Sequence, residues 1–274
     1  MQTLSVSTCG GKRMKGILAQ SSAGLPLVTV VTAVFNGQPT IQGCLESVLK
    51  QDYPNIEHIV LDGGSTDGTL DVLRQYDDRI ALWKSEPDKG VYDAWNKGLT
   101  EAHGEWISFL GADDEFLPGA ITAYMALAAR HPEAEYLNSR ERWVHSNGYE
   151  RIRGRRWTWP GILRQMCVAH VGSMHRRSLF DRLGSYDSSF GTAADYELLL
   201  RARQSLRTAY IPNITVIMRA GGMTESRASL ADATRAKIIS GGRNSILAKI
   251  EQCIANAKFV LRPLRRAAER IAAR

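Results

Sequence analysis

The first half of the chain alternates between short apolar runs and helical patterns, and this alternation constrains the fold most. Residues 27–35, 56–61, 80–83 and 106–110 are apolar and rich in β-branched or aromatic side chains, which predicts four buried strands. Apolar residues at helical spacing follow each of the first three runs. Strands that alternate with helices in this way predict an α/β fold with a mostly parallel sheet.

Polar loops follow all four predicted strands. They contain residues 36, 62–67, 86–90 and 111–114, and each is rich in Gly, Asp or Asn. Right-handed crossovers place the exits of parallel strands on one side of the sheet. Ligands of open α/β sheets bind at this carboxyl edge. The sequence therefore predicts that the four loops converge on one ligand site.

The fourth loop contains two adjacent acids, Asp113 and Asp114, directly after Gly111 and Ala112. Two neighbouring carboxylates repel each other unless a cation lies between them. Mg²⁺ and Mn²⁺ prefer oxygen ligands and often combine one or two carboxylates with substrate phosphates. The pair therefore indicates either a metal–diphosphate site or an acidic turn, since Asp and Gly are common turn residues.

Charge is concentrated in two segments of a chain whose net charge is +7. Residues 140–156 hold six arginines against two glutamates, and residues 255–274 hold six basic residues against one glutamate. The remainder is slightly acidic, which argues against a general nucleic-acid-binding protein. A hydrophobic content of 44% over 274 residues supports a folded core.

The four cysteines have no CxxC spacing, and no apolar run approaches the ~20 residues that span a bilayer. These features favour reduced thiols and a cytoplasmic protein. Residues 1–25 are polar, lack the pattern of a secretory signal, and are expected to form a flexible leader.

The second half is less regular. A helix is predicted over residues 118–130, short strands within 135–156, a helix around Gly184, and a final strand over 215–218. Asp195 opens another helical pattern, where the helix dipole favours a carboxylate.

Five motifs in order, VTVVTAVFNG, HIVLDGGSTDGT, DKGVYDAWNKGL, ISFLGADD and AADYELLLR, resemble family 2 glycosyltransferases of the GT-A fold. The resemblance covers residues 27–223 and is greatest to bacterial members that build surface polysaccharides. It implies a GT-A domain at 26–223, with a nucleotide-sugar-binding half at 26–115 and an acceptor-binding half at 116–223. A basic helical extension would occupy residues 224–274.

The resemblance implies a donor site that binds a nucleotide sugar, with uracil as the expected base. Asp62 would accept a hydrogen bond from the base or ribose, and Asp88, Lys89 and Gly90 would lie near the ribose and diphosphate. The other implied donor-site residues are Thr32, Ala33, Asn36, Asp93, Asn96, Ala112 and Asp113. Turn formation and helix capping are the alternative roles for several of these, and capping is favoured for Asp67.

The resemblance also implies a catalytic base and a divalent metal, Mn²⁺ or Mg²⁺. Asp113 would bind the metal directly, and Asp114 would bind it through water or hold the sugar. Asp195 would be the base of an inverting transfer, with Glu197 in reserve and His170 near the acceptor or metal. Gly63 and Gly111 stand where many members carry an acid, which predicts modest metal affinity.

Two surfaces suggest partners. The arginines and tryptophans of residues 140–159 suit either an anionic lipid-diphosphate acceptor or a solvated basic ribbon. In the tail, Leu264, Ala267, Ala268 and Ile271 share one helix face among arginines. Such a helix binds an anionic membrane, here the inner face of the plasma membrane, or packs on protein.

The function expected is transfer of a sugar from a nucleotide-diphosphate donor to a glycan or lipid-linked acceptor. Two alternatives remain, a sugar-phosphate nucleotidyltransferase and a non-catalytic carbohydrate-binding module. A nucleotidyltransferase needs a basic loop after strand one to bind a triphosphate, and this chain lacks such a loop. A carbohydrate-binding module has no need of Asp113, Asp114 and Asp195 together.

Overall fold

The computed structural model describes residues 8–17, 24–145, 147–219 and 227–272, with the side chains of the last helix described as far as Leu261. The strands are Thr8–Gly10 (β1), Val28–Val34 (β2), Ile56–Asp62 (β3), Leu82–Ser85 (β4), Trp106–Gly111 (β5), Glu115–Phe116 (β6), Tyr136–Val144 (β7), Glu150–Arg153 (β8), Met174–Arg176 (β9) and Thr208–Arg219 (β10).

The helices are Gln38–Leu49 (α1), Thr69–Gln75 (α2), Val91–Glu101 (α3), Ala120–Arg130 (α4), Trp159–Arg164 (α5), Arg177–Leu183 (α6), Ala194–Ala202 (α7), Arg227–Ile239 (α8) and Ser245–Ala272 (α9). Short 3-10 helices occupy Lys12–Lys15, Ser188–Ala193 and Arg203–Ser205. None of the described helices is long and apolar enough to cross a membrane.

Among the described residues, the strands form one sheet in the order β1-β4-β3-β2-β5-β9-β7-β10-β6, and β8 pairs with β7. The central strands β4, β3, β2 and β5 are parallel, while β1, β6, β8 and β9 pair in antiparallel fashion. This confirms the predicted α/β class with a mostly parallel central sheet flanked by helices.

Helices cover both faces of the sheet because successive strand side chains alternate between them. Val28, Val30 and Val34 face α1, α2 and α4, whereas Val31 packs in a second core with α3, α6 and α7. Sheet strands buried on both faces explain the nearly continuous apolar runs in the sequence.

The order of the parallel strands reverses at β2. The chain first builds β3 and β4 on one side of β2 and then places β5 on the other side. Ala33 of β2 and Gly111 of β5 are register partners at the carboxyl edge. A crevice at such a reversal is the expected ligand position in an open α/β sheet.

The prediction of a flexible leader is wrong for residues 8–17. β1 pairs with β4, and Arg13 donates to the Glu101 carbonyl oxygen at 2.8 Å and forms an ion pair with buried Glu57. This segment covers an edge of the sheet that would otherwise be unpaired. The other residues of the predicted leader up to 23 lie outside the described part of the chain.

Three predicted boundaries shift. The predicted strand at 80–83 begins only at Leu82, because Ile80 closes the turn after α2 and its amide donates to the Tyr76 carbonyl oxygen. Gly184 ends α6 with a φ of 80°, which favours glycine. β10 begins at Thr208 and includes Pro212. Its register with β7 is irregular between Tyr210 and Ile214, so the missing amide of Pro212 interrupts no regular pairing.

Candidate active site

A cleft of about 1190 Å³ opens at the carboxyl edge of β2 and β5. One wall, here called the strand-exit wall, consists of residues 33–37 and 111–114. The rest of the lining includes parts of α3, β7, β8, α5, α7, α8, β10 and α9, and the segment between α5 and β9. Of the predicted site residues, the cleft brings together Ala33, Asn36, Ala112, Asp113, Asp114, His170 and Asp195.

Asn36 fixes the first loop to the second. It adopts a φ of 48°, a left-handed conformation that Asn tolerates better than most residues. Its Oδ1 accepts the Thr66 amide at 2.9 Å, and its own amide donates to Ser65 Oγ at 2.7 Å. The loop after β2 is therefore rigidly tied to the loop after β3.

Asp62 and Asp67 hold the second loop together. Asp62 is buried and accepts the amides of Gly64 and Ser65 and the hydroxyl of Ser85. Asp67 accepts the amides of Thr69 and Gln38, and the Thr69 hydroxyl, which donates to it at 2.6 Å, is the main cause that lowers its pKa. Asp67 thus binds the first amides of α1 and α2, as expected for capping, although Gly68 is the N-cap residue of α2. Asp62 holds its own loop and joins it to the end of β4.

The third loop lies beside the second, outside the lining of the cleft. Asp88 Oδ1 accepts the Gly90 amide at 2.8 Å, and Asp93 Oδ2 accepts the Lys89 amide at 3.1 Å. These are turn and helix-start contacts. A side chain at residue 63 would place its Cβ 2.6 Å from Asp88 Oδ2, so Asp88 fills the space beside Gly63.

Two predicted donor residues instead stabilise the fold. Thr32 is fully buried, and its hydroxyl lies 2.9 Å from His58 Nε2, because strand alternation turns it toward α1. Asn96 donates to the Tyr186 carbonyl oxygen at 2.8 Å and accepts the Tyr186 amide at 3.0 Å. The structure therefore does not place either side chain in the cleft.

The adjacent acids of the fourth loop have different surroundings. Asp113 is half-buried and lines the cleft. Asp114 is buried, and its oxygens accept the amides of Gly111 at 3.2 Å and Arg219 at 3.1 Å. Burial, with the nearby Asp113 charge, raises the pKa of Asp114 to about 8. Asp114 thus joins β5 to β10 through backbone hydrogen bonds.

Asp195 lies in the first turn of α7 and faces the cleft. The Tyr92 hydroxyl donates to its Oδ1 at 3.0 Å, and His170 Nδ1 lies 3.9 Å from its Oδ2. The Tyr196 amide also donates to Oδ1. These contacts hold one carboxylate oxygen and leave the other facing His170.

His170 is buried between aromatic rings. Its ring stacks on Trp95 with centroids 5.5 Å apart, and its Nε2 lies 3.1 Å from the Tyr186 hydroxyl. Burial lowers the pKa of His170, and the Asp195 charge acts against this shift. His170 is therefore held as a neutral ring behind Asp195 at neutral pH.

The reserve base Glu197 lies outside the cleft lining. It is buried, pairs with Arg201 at 2.9 Å, and accepts the Ser240 hydroxyl at 2.6 Å. Helical geometry explains the difference, since residues two positions apart on a helix point to different sides. Glu197 ties α7 to the end of α8, which corrects its predicted place beside the acceptor.

The sequence profile of glycosyl transferase family 2 matches residues 29–182. The chain belongs to glycosyl transferase family 2. A glycosyltransferase of Mycobacterium tuberculosis with uncharacterized activity is 38% identical over 186 residues, which are 65% of this chain and 69% of the relative. A PGL/p-HBAD biosynthesis glycosyltransferase of Mycobacterium bovis is 29% identical over 196 residues, covering 68% of this chain and 74% of that protein.

Solved structures share the fold. Staphylococcus aureus TarS in complex with UDP-GlcNAc superimposes with a TM-score of 0.64 at 18% identity, covering 86% of this chain and 72% of that chain. A mannosyltransferase of Pyrobaculum calidifontis in complex with GDP-Man and Mn²⁺ gives a TM-score of 0.62 at 22% identity, covering 96% of this chain and 80% of that chain.

Membership of family 2 makes the chain a glycosyltransferase and confirms the resemblance seen in the five motifs. The nucleotidyltransferase and binding-module alternatives are therefore set aside. The resemblance described above places Gly111 at a position where many family members carry an acid, and Gly111 is also in close contact with the adjacent acids. A Cβ at residue 111 would lie 2.7 Å from Asp114 Oδ2 and 3.0 Å from Asp113 Oδ1.

The described residues contain no group of three or more His, Cys, Asp or Glu side chains placed to hold a metal ion. Asp113 alone of the adjacent acids combines a half-buried carboxylate with a position on the cleft wall. Mg²⁺-type sites often use one or two carboxylates with substrate phosphates as the remaining ligands. The residues thus fit a metal–phosphate complex and do not form a metal cage.

Phe35, Tyr92 and Trp95 are among the cleft residues that the sequence interpretation did not assign to the site. Phe35 is 65% exposed at the edge of the cleft, and Trp95 Nε1 is buried without a hydrogen-bond partner among the described residues. All three lie within the motifs VTVVTAVFNG and DKGVYDAWNKGL. An aromatic residue after a strand exit was the available signal for Phe35.

Proposed function

We propose that this glycosyltransferase is a metal-dependent, inverting enzyme that transfers a sugar from a UDP-sugar to a glycan or lipid-linked acceptor. The observation that carries the proposal is that Asp113 and Asp195, from opposite halves of the chain, line one cleft. Sugar transfer needs a neutralised diphosphate and a base for the acceptor, and these two carboxylates supply the two functions.

For the donor, the strand-exit wall offers a flat aromatic face and open backbone. The exposed ring of Phe35 suits stacking against a planar base, while Ala33 and Ala112 leave room beside it. TarS was crystallised with UDP and with UDP-GlcNAc, which supports a UDP-sugar. The mannosyltransferase bound GDP-Man, so a guanine donor belongs in the test.

A divalent ion held by Asp113 and the donor phosphates would neutralise charge on the departing diphosphate. Asp113 fits this role because its carboxylate borders the cleft. Asp114 supports it indirectly, by anchoring the loop to Gly111 and Arg219.

Asp195 acts as the general base. Its Oδ2 removes the proton from the acceptor hydroxyl. The acceptor oxygen forms a bond to the anomeric carbon, while the bond from that carbon to the donor phosphate oxygen breaks and the nucleoside diphosphate leaves. The Tyr92 hydroxyl, 3.0 Å away, orients the carboxylate for this transfer. Attack from the face opposite the diphosphate inverts the anomeric configuration.

Contact with the inner face of the plasma membrane is also proposed. Ile246 and Ile250 are exposed one helical turn apart on α9, and Lys249 is beside them in the sequence. An apolar helix face beside cations suits an anionic bilayer. The predicted face at Leu264, Ala267, Ala268 and Ile271 lies outside the described side chains.

The decisive experiment incubates the purified chain with UDP-, GDP- and dTDP-sugars and Mn²⁺, and measures release of nucleoside diphosphate. The expected result is release from a UDP-sugar that EDTA abolishes, with inverted product configuration by NMR. Release that persists in EDTA would contradict metal dependence, and a retained configuration would contradict the role of Asp195.

A further inference from the structure

The charged groups that line the cleft come from different elements. Asp113 follows β5, and Asp195 lies in the first turn of α7. The other acids of the lining already have partners, since Asp114 accepts two backbone amides, Glu141 pairs with Arg153 at 3.2 Å, and Glu251 pairs with Lys237 at 3.0 Å. These acids therefore offer little negative charge to further cations.

The cleft lining also carries four cations here called the basic wall. They come from β8, the segment after it, the end of α5, and α9, and they are Arg151, Arg155, Arg164 and Lys258. Within the part of the chain that the structure describes, none of the four forms an ion pair with an acidic side chain. Four cations without acidic partners in one cleft favour a bound anion.

The backbone beneath these side chains is fixed. The Arg155 amide donates to the Cys167 carbonyl oxygen at 2.9 Å, and its carbonyl oxygen accepts from Asn138 at 2.7 Å. The Arg164 carbonyl oxygen accepts from Lys237 Nζ at 3.0 Å. The arginines are thus presented from anchored positions, while their guanidinium groups remain available to a ligand.

Arginine binds phosphate with parallel N–H donors and keeps its charge at every physiological pH. Three guanidinium groups and one ammonium group match a phosphate or diphosphate better than a single carboxylate. Asp113 follows β5, whereas Arg151 and Arg155 lie on and after β8, which joins the sheet through β7, and β9 lies between β5 and β7. Since the proposed donor phosphates belong with Asp113, a second anion site on these elements suits a phosphate of the acceptor.

We propose that the basic wall binds a phosphate group of the acceptor, so that the enzyme glycosylates a phosphate-bearing acceptor. The proposal rests on the function proposed above. The phosphate belongs either to a lipid-linked acceptor or to a phosphate-containing glycan. The chemistry of recognition is the same, and a hydrophobic tail on the probe distinguishes the sources.

Binding is tested by calorimetry on the full chain in EDTA, so that no metal draws anions to Asp113. The probes are decyl phosphate below its micelle concentration, inorganic pyrophosphate, and uncharged decyl glucoside. We expect both phosphates to bind, more weakly as salt is added, and decyl glucoside to bind at least tenfold more weakly than decyl phosphate. Tighter binding of decyl phosphate than pyrophosphate indicates a lipid-linked source, and equal binding indicates a glycan phosphate.

The variant Arg151→Gln/Arg155→Gln/Arg164→Gln should lose at least about tenfold in affinity for both phosphates. A control with equal charge loss, Lys50→Gln/Arg74→Gln/Arg130→Gln, changes exposed side chains outside the cleft lining and should bind as the wild type does. Thermal unfolding of both variants at the wild-type temperature excludes misfolding as the cause of an affinity loss.

Three results would overturn the proposal: no phosphate binding by the wild type, equal losses in the two variants, or equal affinity for decyl phosphate and decyl glucoside. Binding to vesicles containing 30% phosphatidylglycerol without binding of monomeric phosphates would also overturn it and assign the wall to a membrane surface. A separate titration with UDP and Mn²⁺ tests the proposed function. Absence of UDP binding there would contradict the proposed function, whereas the titrations in EDTA test only phosphate binding by the basic wall.

Discussion

The strand-exit wall and the basic wall face the same cleft, but they hold their polar groups differently. In the strand-exit wall, Asn36 and Asp114 are fixed by backbone amides within 3.2 Å. In the basic wall, backbone contacts anchor Arg155 and Arg164, and their long side chains extend beyond these anchors. The contrast indicates that one wall positions reacting groups, whereas the other accommodates a variable ligand.

This contrast predicts different costs of substitution. Changes in the strand-exit wall should affect folding or chemistry, because Asn36 and Asp114 already have fixed partners and Asp113 is the proposed metal ligand. Changes in the basic wall should affect ligand affinity with little effect on stability, since exposed side chains contribute little to folding. The predictions below test this difference.

The largest effect is expected at Asp195, the proposed general base on the cleft lining. Asp195→Asn keeps an acceptor for the Tyr92 hydroxyl but removes the base, and turnover should fall about 10²- to 10⁴-fold. Nucleoside diphosphate release under saturating donor measures the effect. Asp187→Asn, an acid that caps the neighbouring 3-10 helix, should retain activity. More than a tenth of wild-type turnover in Asp195→Asn would remove Asp195 from the chemistry.

The adjacent acids should separate stability from metal use. Asp114→Asn replaces one of two buried acceptors with a donor, so the free energy of unfolding should fall by about 1–3 kcal/mol in urea titrations. Asp113→Asn should leave that free energy within about 0.5 kcal/mol and raise the Mn²⁺ concentration for half-maximal activity about tenfold. A stability loss in Asp113→Asn together with a raised Mn²⁺ requirement in Asp114→Asn would contradict this assignment and make Asp114 the metal ligand.

Restoring a side chain at residue 111 should harm the enzyme even though many relatives carry an acid there. The Cβ of Gly111→Ala would crowd both Asp113 and Asp114, at a cost of about 1–3 kcal/mol in the free energy of unfolding. Arg155→Gln in the basic wall is the matched control and should change that free energy by less than about 0.5 kcal/mol. Equal stability of the two variants would contradict the proposed difference between the walls.

The smallest expected effect is a pH dependence beneath the strand-exit wall. Burial lowers the pKa of His58 to about 3. Below about pH 6.5 the His58 ring is therefore protonated in the unfolded chain but stays neutral in the folded chain. Stability is therefore fully present above that pH and falls as the pH drops towards 3.

His58→Gln should reduce the loss of unfolding free energy between pH 6.5 and pH 5 by about 1–2 kcal/mol. Urea titrations at the two pH values measure it. Burial also lowers the pKa of His170 and His175, so a residual slope should remain in the variant. An unchanged slope would show that His58 does not carry this share of the pH dependence.

Residue patterns predicted the sheet well because strand and helix periodicity are local properties. The runs at 27–35, 56–61 and 106–110 became β2, β3 and β5 with shifts of at most one residue at each end. The predicted strand at 80–83 begins later because Ile80 belongs to the turn after α2, and the predicted final strand at 215–218 covers only the last part of β10, Thr208–Arg219. Sequence signals were thus weakest where a long-range contact replaces a local preference.

The sequence by itself determined the family and the parallel strand exits, which place Asp113 at the carboxyl edge of the sheet. It assigned Asp195 a catalytic role only through the family resemblance. Only the tertiary structure decided which polar groups remain available at that edge. Asp114 accepts a hydrogen bond from the amide of Arg219, 105 residues away, and Asn96 donates to the carbonyl oxygen of Tyr186, 90 residues away. The type and spacing of side chains are local properties of the sequence. The hydrogen-bond partner of each side chain depends on distant segments that folding brings together.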